Sequence, residues 1–254
     1  MPYAKNGNTK IYYEVEGKGP PLVMLHGLTG NLEGWRESGY VDALKDDYQV
    51  ILMDFRGHGK SDKPHDPALY SVESIVGDVI AVLDRPSIKT ANFHGYSFGG
   101  GICYELAKRI PERIKALVIG GCGAQNPPHE ILERQIKLYE SGAKNIIATY
   151  EQNGPMPPDV KAHILANDYK ALAAVCKGMM SFPPVINDVP KMKMPILLYA
   201  GEKDFGYSAV VETSKMLPNA SLATLPGLDH MLGGGSPDLV VPHIKKFLAR
   251  VNKT

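Results

Sequence analysis

The segment Thr90-Ala91-Asn92-Phe93-His94-Gly95-Tyr96-Ser97-Phe98-Gly99 constrains the fold more than any other part of the chain. A short apolar run ends in Gly-x-Ser-x-Gly, and a helical pattern starts at once. That is the strand–turn–helix setting in which a serine is held on a sharp turn. Such a turn leaves no room beside the serine, and Gly95 and Gly99 carry no Cβ to keep strand and helix apart. Ser97 is therefore expected at the head of a helix with its hydroxyl exposed, placed to act as a nucleophile.

The surrounding pattern agrees. Apolar stretches at 11–15, 21–26, 48–54, 90–94, 114–119, 195–200 and 221–225 alternate with helical patterns at 35–45, 71–83, 98–109, 210–217 and 237–251. The first stretch alternates polar and apolar residues and reads as an edge strand. The others are nearly continuous, which means strands covered on both faces. Strand–helix alternation of this kind builds a mostly parallel sheet with helices on both sides. Ser71, with Ser74 three residues on, is placed to cap the second helix. From about 125 to 189 the alternation stops. Pro127-Pro128 opens one helical run to about Gln152, Gly154-Pro155-Met156-Pro157-Pro158 breaks it, and a second runs from Asp159 to about Met180 before Pro183-Pro184. This reads as a compact helical cap inserted in a single domain spanning 1–254. It should lie over the strand C-termini, where open α/β sheets bind ligands.

A serine hydroxyl is a weak nucleophile at neutral pH and needs a base, an orienting acid and donors for the developing oxyanion. In this strand–helix order the base follows the last strand, and among the eight histidines His230 in Pro226-Gly227-Leu228-Asp229-His230 fits. His94 reads as a structural neighbour of the turn and His243 as a surface residue of the closing helix. The acid is expected just after the strand at 195–200. Asp204 of Gly201-Glu202-Lys203-Asp204 is preferred over Glu202 and Asp229, because Gly120-Gly121-Cys122-Gly123 offers no carboxylate after the preceding strand. The oxyanion donors would be the backbone amides of Phe98, at a helix N-terminus, and of Leu28, after the His26-Gly27 turn. Phe205, Tyr207, Trp35, Met179 and Met180 are candidates for lining the substrate pocket.

Taken together, these residues resemble the α/β-hydrolase superfamily over essentially the whole chain. The turn Gly95 to Gly99, the His26-Gly27 turn, the segment Asp54-Phe55-Arg56-Gly57-His58-Gly59-Lys60-Ser61-Asp62 and the order Ser97…Asp204…His230 all match its pattern. The resemblance implies the α/β-hydrolase fold: a central, mostly parallel sheet of about eight strands, with the cap between strands six and seven. Arg56 and Asp62 are expected to pair locally. A serine at the turn argues against the superfamily's haloalkane dehalogenases and epoxide hydrolases, which attack with a carboxylate. It implies an acyl-enzyme and, first of all, hydrolysis of small to medium carboxylic esters with an apolar acyl side. An acyl-homoserine or enol-lactonase, a carbon–carbon bond hydrolase or a perhydrolase would use the same three residues. A hydrolase-fold small-molecule receptor is the alternative outside enzymes.

Composition excludes other classes. Lys+Arg 28 against Asp+Glu 27 gives a net charge of +1, too little for a nucleic-acid or polybasic membrane footprint. No stretch approaches the about 18 apolar residues of a membrane helix. The first residues, Met1 to Gly7, lack a signal peptide's apolar core, so a cytoplasmic protein is expected, as a monomer or homodimer. Cys103, Cys122 and Cys176 are odd in number and far apart, which fits neither a disulfide framework nor a zinc site. No metal or organic cofactor is expected.

Overall fold

A computed structural model describes residues 3–152, 156 and 158–252. Eight strands form one sheet: β1 (Tyr3–Asn6), β2 (Thr9–Glu16), β3 (Pro21–Leu25), β4 (Gln49–Met53), β5 (Ala91–Tyr96), β6 (Ile114–Gly120), β7 (Ile196–Gly201) and β8 (Ala220–Leu225). Their spatial order is β1-β2-β4-β3-β5-β6-β7-β8. β1 and β2 run antiparallel, as do β2 and β4, and the remaining neighbours are parallel. The sheet is thus the mostly parallel α/β arrangement expected.

Strand alternation divides the core in two. Val23, Leu25, Ile51, Met53, Phe93, Leu117, Ile119 and Leu198 face one side. There they meet α3 (Val72–Asp84), α4 (Phe98–Arg109) and α9 (Tyr207–Met216). Leu22, Met24, Val50, Leu52, Val118, Leu197 and Tyr199 face the other. There they meet α1 (Glu33–Glu37), α2 (Tyr40–Leu44) and α11 (Pro237–Val251). Each fully buried aliphatic side chain removes enough apolar surface from water for about 1.5–3 kcal/mol. That is why the central strands read as unbroken apolar runs.

Between β6 and β7 lie α5 (His129–Glu140), α6 (Ala143–Glu151), α7 (Pro158–Ala166) and α8 (Tyr169–Met179). Their inward residues Leu132, Ile136, Tyr139, Ile146, Leu172 and Cys176 form a third, separate core. Leu28 and Met179 pack against both this core and the main one, so they mark the seam between cap and body. The short helix α10 (His230–Gly234) lies between β8 and α11.

Several elements differ from the sequence reading. β1 is an added edge strand, four residues long. The helix expected at 35–45 is two, because Gly39 between them sits at φ 89. The run ending near Gln152 breaks at Gly142. The run from 159 to 180 breaks at Asp168, whose carboxylate caps α8 by accepting from the Ala171 amide at 3.0 Å. Of the expected break at 154–158, Gly154, Pro155 and Pro157 lie outside the described residues, as do Met1 and Pro2 at the start of the chain. Ser71 does cap α3, accepting from the Ser74 amide.

Arg56 does not pair with Asp62. Its guanidinium turns into the core and forks onto Asp78 of α3, Nε to Oδ2 at 2.5 Å and Nη2 to Oδ1 at 2.6 Å. The exposed Asp62 carboxylate instead accepts from the Lys10 amide at 2.7 Å. Desolvation pushes Asp78 above the usual carboxylate range despite the guanidinium, so the pair is a costly burial that holds only while both partners are present. Asp78→Ala would strand a buried cation, and a loss of about 3–5 kcal/mol in urea unfolding is expected. A loss below about 1 kcal/mol, typical of exposed pairs, would contradict this account.

Candidate active site

Ser97 sits between β5 and α4 at φ 54, ψ −113, a left-handed conformation that side chains rarely adopt. The turn is closed from both sides. A Cβ on Gly95 would lie 2.3 Å from the Gly99 carbonyl oxygen, and a Cβ on Gly99 would lie 2.1 Å from that of Leu25. The Ser97 amide donates to the Gly120 carbonyl of β6 at 2.9 Å, so the serine is referenced to the neighbouring strand as well as its own.

Two loops bring the partners. Asp204 follows β7 and His230 follows β8, each beyond the C-terminal end of its strand. His230 Nε2 lies 3.0 Å from Ser97 Oγ, and its Nδ1 lies 2.8 Å from Asp204 Oδ2. A carboxylate only accepts, so Nδ1 carries the proton and Nε2 is left bare to accept from the serine hydroxyl. The Asp204 side chain is fully buried, and its Oδ1 accepts from the Gly206 amide at 2.8 Å. The competing acids are engaged elsewhere. Glu202 accepts from the Gly227 amide, and Asp229 caps α10 through the Leu232 amide.

The Leu28 loop follows β3. A Cβ on Gly27 would come 3.6 Å from the Ser97 Cβ, so this loop passes directly beside the serine. Neither the Leu28 nor the Phe98 amide has an acceptor among the described residues. The cap holds the same loop from above: His163 Nε2 donates to the Thr29 carbonyl at 2.9 Å, and Asn167 reaches it at 3.3 Å.

The pocket candidates divide. The Phe205 ring lies 4.4 Å from that of His230 and is 82% exposed. Met179 and Met180 are partly buried against the third core, and Met179 also packs on the main one. Tyr207 directs its hydroxyl to Thr224 Oγ1 at 3.1 Å. Trp35 does not reach the site. It is buried in the core on the α11 side, with its ring against Tyr40 and His94.

Further buried and partly buried residues surround this group, of which only His58 was given no reading of its own from the sequence. His58, in the Asp54–Asp62 segment, is buried. It donates through Nε2 to the Leu28 carbonyl and lies 22° from parallel with the Phe98 ring. Burial lowers its pKa. His26 accepts from the Phe55 amide at Nε2 and meets the Gly27 carbonyl at Nδ1, and burial drives it down to about 3. Burial also drives His94 down to about 3. Its Nε2 lies 2.8 Å from the Tyr199 hydroxyl. Burial, then the nearby Asp204 charge, pushes the Cys122 thiol up to about 12, which leaves it inert as a nucleophile.

The fold is matched by comparison with known proteins. The model of a family described as the alpha/beta hydrolase fold matches residues 20–154. The chain belongs to that family. Among curated relatives it is similar to the "Putative 2-succinyl-6-hydroxy-2,4-cyclohexadiene-1-carboxylate synthase" of Bacillus subtilis (strain 168), 29% identical and covering 95% of this chain and 96% of the relative. It is also similar to the cis-3-alkyl-4-alkyloxetan-2-one decarboxylase of Shewanella oneidensis, 29% identical over 96% of this chain and 86% of that one. The enol-lactonase structure from Burkholderia xenovorans LB400 superposes with a TM-score of 0.84 at 25% identity, covering 98% of this chain and 100% of that one. Among the described residues, no helix of this α/β-hydrolase is long and apolar enough to cross a membrane.

The buried histidines make stability depend on pH. Unfolded, His26 and His94 take up protons near the ordinary value of 6.5, whereas folded they stay neutral down to about 3. The unfolded chain therefore binds more protons in that window, and stability falls as pH drops from about 6.5 towards 3. In urea melts across this range, His94→Asn should reduce the slope by up to about 1.4 kcal/mol per pH unit. An unchanged slope would mean that His94 is not held neutral.

Proposed function

We propose that this α/β-hydrolase is a serine hydrolase that cleaves small to medium carboxylic esters, cyclic esters among them, through an acyl-enzyme. The relay Ser97 Oγ to His230 Nε2 at 3.0 Å and His230 Nδ1 to Asp204 at 2.8 Å carries the proposal. Ser97 Oγ attacks the carbonyl carbon while His230 Nε2 takes its proton. Asp204 keeps the imidazole in the tautomer that can accept it and stabilises the imidazolium. The carbonyl oxygen becomes an oxyanion, which the Leu28 and Phe98 amides receive. Each such donor contributes about 2.7–4 kcal/mol to the transition state. Collapse breaks the ester C–O bond, and His230 returns the proton to the leaving oxygen. In a lactone that oxygen stays attached as the hydroxyl of the ring-opened acyl group. Water, deprotonated by His230, then attacks the acyl carbon, releasing the acid and restoring Ser97.

Two observations support an apolar, ester-like substrate. Phe205, whose ring lies 4.4 Å from that of His230, and Met231, the next residue in the chain after His230, are 82% and 80% exposed and offer apolar surface beside the base. The similar proteins named above include an enol-lactonase and an enzyme named for an oxetan-2-one, which is a four-membered cyclic ester. In this reading Leu28 and Met179, at the seam between cap and body, border the acyl side.

Turnover of p-nitrophenyl esters of graded acyl length, with lactones in parallel, tests the proposal. Activity should vanish in Ser97→Ala with melting unchanged, because the hydroxyl contributes little packing. Asp204→Asn should lose roughly 10⁴-fold in kcat, since it inverts the tautomer preference. Appreciable turnover by pure Ser97→Ala would refute the nucleophile. A folded wild-type protein that binds these compounds but does not turn them over would point instead to a receptor.

A further inference from the structure

The residue just before the nucleophile, Tyr96, is the last of β5, yet its side chain is engaged with the loop carrying the base. Its hydroxyl donates to the backbone carbonyl of His230. Its ring lies 5.2 Å from the imidazole at 39°. The chain around that ring is built from glycines, and added Cβ atoms would collide with it. A Cβ on Gly234 would lie 2.6 Å from Tyr96 Cε1, one on Gly121 would lie 2.9 Å from the Tyr96 hydroxyl, and one on Gly233 would lie 3.2 Å from it. Gly121 follows β6, and Gly233 and Gly234 belong to α10, the short helix that begins at His230. The Tyr96 ring is thus seated between the end of β6 and the helix of the base. Gly121 also stands 3.0 Å from His230 Cε1 by the same measure, so ring and imidazole share one slot.

We propose that Tyr96 is a positioning residue that sets the distance between base and nucleophile, locking the His230 segment to the same turn that presents Ser97. This rests on the reading of Ser97 and His230 as nucleophile and base. The mechanical argument is short. The Ser97 turn is fixed to the sheet through β5 and the Gly120 carbonyl, whereas His230 opens the short helix α10, beyond the loop that follows β8. The His230–Asp204 contact orients the ring about Nδ1 but leaves the backbone that carries it free to shift. Tyr96 holds that backbone directly, through the His230 carbonyl and through the glycine seat on α10. Burial, with the Asp204 charge nearby, holds the Tyr96 phenol protonated, so its hydroxyl stays a donor throughout the working pH range.

The test compares Tyr96→Phe, which keeps the ring and removes the donor, with Gly234→Ala, which keeps the hydroxyl and crowds the ring from the α10 side. Tyr70→Phe serves as control. It also removes a tyrosine-to-carbonyl hydrogen bond, to Pro64 at 2.5 Å, but away from Ser97, Asp204 and His230. Ester turnover, Tm and the rate of Ser97 labelling by a p-nitrophenyl phosphonate are measured for each. Tyr96→Phe and Gly234→Ala should lower kcat on the order of 10-fold with KM within about 2-fold, as small misplacements of catalytic groups do. Phosphonylation should slow by a similar factor. Tyr70→Phe should lose comparable Tm and keep kcat. If Tyr96→Phe keeps kcat and labelling rate within about 2-fold, or loses them only in proportion to its unfolded fraction, the proposal is overturned. Ser97→Ala is run alongside. If it remains active, the reading of the site fails, whatever Tyr96 does.

Discussion

The approach of β5 to α4 around Ser97 is the constraint on which the rest of the site depends. The backbone reaches φ 54 at a serine, and it can do so only where no side chain intervenes on either flank. Carbonyl oxygens of Leu25 and Gly99 stand about 2 Å from where a methyl would sit on Gly99 and Gly95. The strain of a left-handed serine, of order 1–3 kcal/mol, is held by the packed sheet below it and by the Ser97 amide bond to Gly120. The hydroxyl is then presented at the head of α4, where free amides and the helix dipole already favour negative charge.

Everything else in the site is referenced to that turn. The parallel strands β3, β5, β7 and β8, with β6 between the middle two, run in one direction, and the segments that follow them supply Leu28, Ser97, Asp204 and His230. The sheet determines the spacing, while the loops determine identity. Burial keeps His26 and His94 uncharged close to the serine turn. The cap reaches the same machinery by a different route, since His163 and Asn167 hold the Thr29 carbonyl next to Leu28. A movement of α7 would therefore be felt at the loop beside Ser97.

The sheet and the gathering of Ser97, Asp204 and His230 were legible because they depend on local signals. Unbroken apolar runs mark strands covered on both faces, paired glycines mark the sharp turn, and loop residues follow the strands in order. What escaped depends on three-dimensional partners. β1 is too short to carry a pattern and forms only by pairing with β2. Arg56 has an acid six residues away in Asp62, yet pairs with Asp78 because both are drawn into the core by the packing of α3. Trp35 was a candidate for the pocket lining, but it is buried in the α11-side core against Tyr40 and His94. Tyr96 stands inside the Gly-x-Ser-x-Gly pattern, which carries no signal for its role. That signal lay in Gly121 and, more than a hundred residues away, in Gly233 and Gly234, which look like ordinary glycines until the ring seated against them is seen.

The central claim is covalent: substrate carbon becomes bonded to Ser97 Oγ. Rapid quenching of the protein with a p-nitrophenyl ester in acid, followed by intact-mass measurement and peptide mapping, tests it most directly. The account predicts a transient mass increase equal to the acyl group, located on the peptide containing Ser97 and formed in step with a burst of nitrophenol. Turnover at full rate with no acyl adduct, or an adduct mapped to any other residue, would contradict it.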